Sequence, residues 1–107
     1  MSISTHVLDT ARGRPAAGVG VVLEQRGDDG GWERLGGGVT DDDGRLTDLL
    51  GQAAARAGTY RLTFDTGAYL EGFYPEVNVT FTVTDPARHH HVPLLLSPYG
   101  YTTYRGS

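Results

Sequence analysis

Cysteine and lysine are both absent from this 107-residue sequence. Without cysteine the chain has no disulfide framework, no thiolate nucleophile and no sulfur-ligated zinc site. All nine basic residues are arginines, so a lysine Schiff base and a phosphate-loop lysine are excluded as well. The formal net charge of −4 and the lack of an arginine-rich stretch argue against DNA or RNA as a partner.

Long apolar runs are missing too. The first residues, MSISTHVLDT, contain no apolar signal core, and no run approaches the roughly 18 apolar residues that a membrane span requires. We therefore expect a soluble, cytoplasmic protein without a membrane partner. Because a chain of this length suits one small core, we also expect a single domain over residues 1–107.

Glycine is abundant, with 16 residues, several of them in the clusters GDDGG (27–31), GGG (36–38) and DDDG (41–44). Between such turn signals lie short runs rich in β-branched and aromatic residues, which predict an all-β sandwich. The eight predicted strands are Ile3 to Asp9, Gly18 to Arg26, Trp32 to Thr40, Arg45 to Leu49, Thr59 to Thr66, Glu76 to Thr84, His90 to Leu96 and Tyr101 to Arg105.

Two turns and one helix complete the predicted fold. GDDGG is expected to join the second and third strands into a hairpin, and DDDG the third and fourth, because Asp-Gly suits a tight turn with positive φ. One short helix is predicted at Ala68 to Phe73, with Thr66 as its N-cap.

The segment HVPLLLSP is apolar on both faces of its predicted strand. The alternating residues are Val92, Leu94 and Leu96 on one face, and His91, Pro93 and Leu95 on the other. A small sandwich has one core to cover one face, and proline does not suit a doubly paired central strand. We therefore expect a second copy of the chain to cover the other face, in a homo-oligomer.

Histidine supplies the only side chains whose usual pKa suits proton transfer near neutrality. His6 and His91 fall on semi-apolar strand faces, and they would meet in one cleft if the first and seventh strands are neighbours. General acid/base work is then the favoured function. Two alternatives stay open: rings bonded only to backbone, and a zinc site of His6, His89 and His91.

Arg45 begins the strand after DDDG, where a solvated arginine is common. Beside two histidines, its planar guanidinium would orient an anionic or imide-rich heterocycle. Asp41 to Asp43 resembles half of a calcium loop but lacks the glutamate at the twelfth position, so it is interpreted as a turn.

Three stretches resemble the transthyretin-like 5-hydroxyisourate hydrolases. They are THVLDTARGRPAAGVGVVL at 5–23, DGRL at 43–46, and YPEVNVTFTV with HHHVPLLLSPYGYTTYRGS at 74–107. The closing YRGS is typical of the family, and the HVLD and HVPLLLSP blocks precede it in the expected order. One residue departs from the pattern: His90 stands where the family commonly has tyrosine.

The resemblance implies a transthyretin-like, eight-stranded, two-sheet sandwich, assembled as a homotetramer with active sites in a channel between dimers. It implies hydrolysis of 5-hydroxyisourate to 2-oxo-4-hydroxy-4-carboxy-5-ureidoimidazoline in urate catabolism, without a cofactor or metal. The alternatives are a zinc-assisted hydrolase and a non-catalytic carrier of small planar ligands. Transthyretin, the hormone carrier of the same fold, lacks the His/Arg/His set and the YRGS end.

The resemblance also assigns site residues. Catalytic roles fall on His6, Arg45 and His91, and substrate binding on these three together with Tyr104, Arg105, Gly106 and Ser107. The tail is thus expected to be a strand that ends in the channel, where the Ser107 carboxylate would add a charge. The replacement of tyrosine by His90 leaves open what supports His91.

Overall fold

A computed structural model describes residues 2–51, 53 and 56–107. Within these residues the strands are β1 (Ile3–Asp9), β2 (Arg14–Pro15), β3 (Gly20–Arg26), β4 (Trp32–Val39), β5 (Arg45–Leu46), β6 (Gly58–Phe64), β7 (Val77–Val83), β8 (His90–Ser97) and β9 (Gly100–Thr103). A four-residue helix, α1 (Thr66–Tyr69), follows β6. No helix in the described part of the chain is long and apolar enough to cross a membrane.

The strands form two sheets. One has the order β4-β3-β6-β7, and the other has the order β2-β1-β8-β9, with β5 also paired to β1. The β1–β8 pair is parallel, whereas the other pairs are antiparallel. The first and seventh predicted strands are therefore neighbours, as the meeting of His6 and His91 requires.

The core lies between the sheets and is supplied mainly by alternate residues of β1, β3, β6, β7 and β8, as the period of a pleated strand demands. Its members that are at most 2% exposed include Ile3, Val7, Val21, Leu23, Tyr60, Leu62, Phe64, Leu94 and Leu96. The predicted all-β, two-sheet sandwich with one short helix is confirmed.

The GDDGG hairpin is confirmed, because β3 pairs with β4 and Gly27 N–H donates to the Gly31 carbonyl at 2.7 Å. The DDDG hairpin is wrong: β5 pairs with β1 in the opposite sheet, not with β4. Val7 N–H donates to the Gly44 carbonyl at 2.7 Å, which holds the turn against β1. The predicted strand at 45–49 also ends early, because Leu49 turns into the core.

The prediction that Pro93 keeps its strand out of a central position in the sheet is wrong. The strand β8 is paired on both sides, with Pro93 opposite His6 of β1. The β8–β9 ladder ends at Leu94 and Thr103, and a single bridge between His91 and Gly106 follows in the same register. The ladder is thus interrupted where Pro93 has no N–H to donate, which explains how a central strand accommodates it.

The helix, the last strand and the short strand β2 also differ from the prediction. The helix begins at Thr66, which is not a cap: its hydroxyl donates to the Tyr74 carbonyl at 2.6 Å, and Leu70 is already extended. The last strand ends at Thr103 rather than Arg105, because pairing stops opposite Pro93. The two-residue strand β2 was not predicted, and its Arg-Pro sequence carries no strand signal.

Candidate active site

Strand register brings the predicted residues together. In the parallel β1–β8 pair, Ser4 lies opposite His91 and His6 opposite Pro93, so Ser4, His6 and His91 share one sheet face. The pairing of β5 with β1 places Arg45 opposite His6. The pairing of β5 with β1, rather than with β4, therefore matters for the site, because it places Arg45 beside His6.

A cavity of about 270 Å³ opens at this face. Its lining residues come from β1, β5 and the segment after it, β8 and the tail: Ser4, Thr5, Arg45, Thr47, His89, His91 and Ser107. Arg45, His91 and Ser107 are thus brought into one cavity as the sequence predicts. Within the described residues, the Arg45 side chain forms no ion pair, so its charge faces the cavity without a carboxylate partner.

His91 is half-buried, and its Nδ1 lies 2.7 Å from Oγ of Ser4. Burial lowers the pKa of His91 below its usual 6.5, and the positive charges of His89, Arg45 and His6 lower it further. The imidazole is therefore neutral at pH 7, which is the form that accepts a proton.

His6 is held by the DDDG turn. Its Nε2–H donates to the Asp43 carbonyl at 2.8 Å, so neutral His6 carries its proton on Nε2 and has a free lone pair on Nδ1. In the same turn, the backbone N–H of Arg45 donates to Oδ1 of Asp41 at 2.9 Å. The acidic turn thus holds the His6 ring and the Arg45 backbone in place.

The tail reaches the site through Gly106 and Ser107. Gly106 N–H donates to the His91 carbonyl at 2.8 Å, and Ser107 lines the cavity. Tyr104 and Arg105 are both exposed and line a second cavity, of about 250 Å³, which His91 also lines together with His90 and Phe81. Arg105 also lines a third cavity, with Gly106, Ser107 and His89, so the four tail residues line three cavities that share residues with one another.

The support of His91 does not come from His90. Alternation along β8 turns His90 to the opposite face, where it is 8% exposed and its Nδ1–H donates to the Arg88 carbonyl at 3.0 Å. Ser4, Thr5, Thr47 and His89 are the cavity residues that the sequence did not assign to catalysis or substrate binding. Ser4 could have been found, because it lies two residues before His6 and so shares its face.

The described residues contain no preformed group of zinc ligands. Across residues 2–51, 53 and 56–107, no three His, Cys, Asp or Glu side chains converge closely enough to hold a metal ion. His89 and His91 do lie side by side, with ring centroids 6.3 Å apart.

A β-sandwich whose sheet face joins a neutral imidazole, a second histidine and a guanidinium has the groups that acid/base hydrolysis needs. The HIUase/Transthyretin family model matches residues 3–106, and the chain belongs to this family.

Relatives and solved structures agree with that membership. The chain is 51% identical to 5-hydroxyisourate hydrolase of Salmonella dublin, over 98% of this chain and 80% of the relative. The solved structure of Klebsiella pneumoniae 5-hydroxyisourate hydrolase is 38% identical, with a TM-score of 0.84 and full coverage of both chains. Sea bream transthyretin in complex with thyroxine is 35% identical, with a TM-score of 0.91 over 99% of this chain and 95% of that one.

Proposed function

We propose that this protein hydrolyses 5-hydroxyisourate, with His91 as general base, Arg45 as oxyanion stabiliser and His6 as general acid. The observation that carries the assignment is that Arg45 and His91, whose pKa lies below its usual value, line the same cavity. Relatives named 5-hydroxyisourate hydrolase, at up to 51% identity over nearly the whole chain, support the substrate.

In the reaction, water attacks C6 of the N1–C6 amide while His91 takes one proton from it. Arg45 binds the carbonyl oxygen as it becomes negative, because it lines the cavity with planar N–H donors that carry a positive charge. The N1–C6 bond then breaks as His6, protonated on Nδ1 for this step, donates that proton to N1, and a carboxylic acid forms at C6. His91 releases the proton that it took from water to solvent, and His6 takes one up again, so the proton count balances. The resulting product is 2-oxo-4-hydroxy-4-carboxy-5-ureidoimidazoline.

Fold similarity alone does not separate this function from ligand carriage, since the thyroxine complex has a TM-score of 0.91 and the hydrolase structure 0.84. The site does separate them. A carrier needs apolar enclosure, whereas this cavity presents a guanidinium, two imidazoles and three hydroxyl side chains besides Ser107. The hydrolytic function is therefore favoured over a carrier of small planar ligands.

The test is to form 5-hydroxyisourate in situ from urate with uricase and to follow its decay with and without the protein. We expect decay to accelerate, and the acceleration to fall by about 10²-fold in His91→Ala and in His6→Ala. His89→Ala should cost much less than His91→Ala. Unchanged decay with the parent protein would favour the carrier, and loss of activity on chelation would favour a zinc-assisted hydrolase.

We also propose that the protein is a homotetramer with its sites in a channel between dimers. The exposed apolar side chains Val39, Phe73, Tyr99, Tyr101 and Tyr104 support an assembly, as do the edge strands β7 and β9. In that assembly Tyr104 and Arg105 would join the substrate site through a neighbouring copy, while Gly106 and Ser107 act in their own chain. The cytoplasmic location stays a prediction.

Light scattering at micromolar concentration tests the assembly, with a mass of about four chains expected. A monomer with full activity would contradict it. Tyr104→Ala and Arg105→Ala then test the shared site: both should weaken turnover only if the tetramer brings these exposed side chains to the cavity.

A further inference from the structure

The hydroxyl of Ser4 lies between two imidazoles. Its Oγ is 2.7 Å from Nδ1 of His91 and 3.0 Å from Nε2 of His89. Ser4 is 4% exposed, and the two rings are nearly parallel, at 16°. At the outer end, Nδ1 of His89 contacts the hydroxyl of Ser2. Four polar side chains thus form a hydrogen-bonded row that leads from the cavity to the surface.

A hydroxyl has one proton, so Ser4 can donate to only one of the two rings and accepts from the other. When Ser4 donates to His89, it accepts Nδ1–H from His91, and the Nε2 lone pair of His91 is free. When Ser4 donates to His91, it accepts Nε2–H from His89, and the proton of His91 moves to Nε2. The tautomers of the two histidines are therefore coupled through a single side chain.

We propose that Ser4 is a positioning residue that holds His91 as its Nδ1–H tautomer, with His89 accepting the Ser4 proton. This inference rests on the proposed role of His91 as general base, since only this tautomer leaves Nε2 able to take a proton from water. In the described part of the chain no protein group bonds Nε2 of His91, so that nitrogen is available to the reaction.

The burial of Ser4 makes its hydroxyl important for His91. Because Ser4 is shielded from water, Nδ1 of His91 has little access to a solvent partner if the hydroxyl is removed. An unanchored imidazole can rotate or shift its proton to Nε2, and either change removes the base from its working geometry. The charged and titratable groups around His91 are His6 from β1, Arg45 from β5, His89 before β8, and Arg105 and the Ser107 carboxylate in the tail.

The test compares Ser4→Ala with Ser4→Thr, which keeps the hydroxyl. Ser97→Ala is the matched control, because Ser97 lies on the same sheet, at the end of β8, and donates only to the Gly100 carbonyl at 3.0 Å. Long-range ¹H–¹⁵N NMR on the intact protein identifies which nitrogen of His91 is protonated. Steady-state kinetics with 5-hydroxyisourate across pH supply the functional measurement.

We expect parent protein, Ser4→Thr and Ser97→Ala to show His91 protonated at Nδ1 at neutral pH. Ser4→Ala should show a mixture or the Nε2–H form, and its kcat should fall about tenfold to a hundredfold with little change in KM. His89→Leu is a second variant at an exposed position, so it should fold even if Ser4→Ala does not. It removes the acceptor for the Ser4 proton and should shift His91 in the same direction, with a several-fold loss in kcat.

The proposal is overturned if parent His91 is protonated at Nε2, or if Ser4→Ala and His89→Leu keep the parent tautomer and rate. Its failure is distinct from failure of the proposed function. A parent protein without hydrolase activity would refute the function, whereas the NMR measurement would still decide whether Ser4 sets the tautomer.

Discussion

Gly106 lies against the imidazole of His91 so closely that a Cβ on residue 106 would stand 2.5 Å from Cδ2 of the ring. No heavy-atom contact is stable at that distance, so a side chain there must displace the ring. The requirement for glycine in the YRGS end is thus steric, because the tail packs directly on the ring of His91.

Gly106→Ala should therefore lose activity without unfolding the protein. A ring displacement of about 1 Å lowers turnover by roughly 10²-fold, while the bond from residue 106 N–H to the His91 carbonyl can persist. Turnover of 5-hydroxyisourate and the thermal midpoint are the two measurements. Gly100→Ala is the control, since its Cβ would meet only Oγ of Ser97, at 3.8 Å. Parent turnover in Gly106→Ala would show that the contact is not functional.

The pKa of His91 gives a second prediction. Burial lowers it below 6.5, and the charge of Arg45 contributes to the shift. Arg45→Gln should therefore raise the pKa of His91, as measured by NMR titration of its ring. Arg34→Gln, on the opposite sheet, is the charge-matched control and should leave it unchanged. An equal rise in both variants would point to net charge rather than to the local contact.

The lowered pKa of His91 also predicts how turnover and stability depend on pH. Since the proposed mechanism uses neutral His91 as the base, the acid limb of kcat/KM should fall below pH 6.5. The unfolded chain binds a proton near pH 6.5, whereas folded His91 binds one only at lower pH. Its contribution to stability is therefore present above pH 6.5 and is lost as pH falls through the folded pKa. An acid limb above pH 6.5 would contradict the assignment.

The contacts of Asp9, the last residue of β1, lead to a prediction about stability. It is 2% exposed, and it accepts hydrogen bonds from the Tyr69 hydroxyl at 2.8 Å and from Arg12 N–H at 3.0 Å. Burial alone would raise the pKa of Asp9, but these bonds and the Arg12 charge outweigh it, so its pKa lies below 3.8. Asp9→Asn should destabilise the fold by about 1–3 kcal/mol at pH 7, because the amide cannot accept both bonds.

The pH dependence of that loss follows from the lowered pKa. The stabilisation by ionised Asp9 is present above pH 3.8 and is lost as pH falls through the folded pKa, so the difference from Asp9→Asn should shrink in acid. Denaturant unfolding at several pH values measures it. The exposed turn residue Asp85 supplies the control, because Asp85→Asn should change stability much less. A constant difference down to acid pH would exclude ionised Asp9 as its source.

The sequence predicted what depends on alternation and composition. Strand periodicity identified the long strands, and recognisable motifs pointed to His6, Arg45 and His91, which the strand register places near one another. The sequence could not predict that the strand of Arg45 pairs with β1. The DDDG turn is equally compatible with a hairpin, and the choice of partner strand depends on the long-range hydrogen bond from Val7 N–H to the Gly44 carbonyl. Alternation places Ser4 on the face of His6, but its contact with His91 depends on the β1–β8 register, which the sequence does not show.

The DDDG turn itself gives the last prediction. Gly44 has φ +75°, and a Cβ there would lie 2.3 Å from the Val7 carbonyl oxygen, so alanine would meet both backbone strain and a clash with β1. Gly44→Ala should cost about 2–4 kcal/mol and also weaken turnover, because the turn braces His6 and Arg45. Gly30→Ala isolates the strain: its φ is +82°, but its Cβ would meet no atom of the described residues within 4 Å. It should cost only about 1–2 kcal/mol and leave turnover unchanged. Denaturant unfolding and the hydroxyisourate assay on both variants make the comparison, and equal losses would mean that the close approach of Gly44 to β1 contributes nothing.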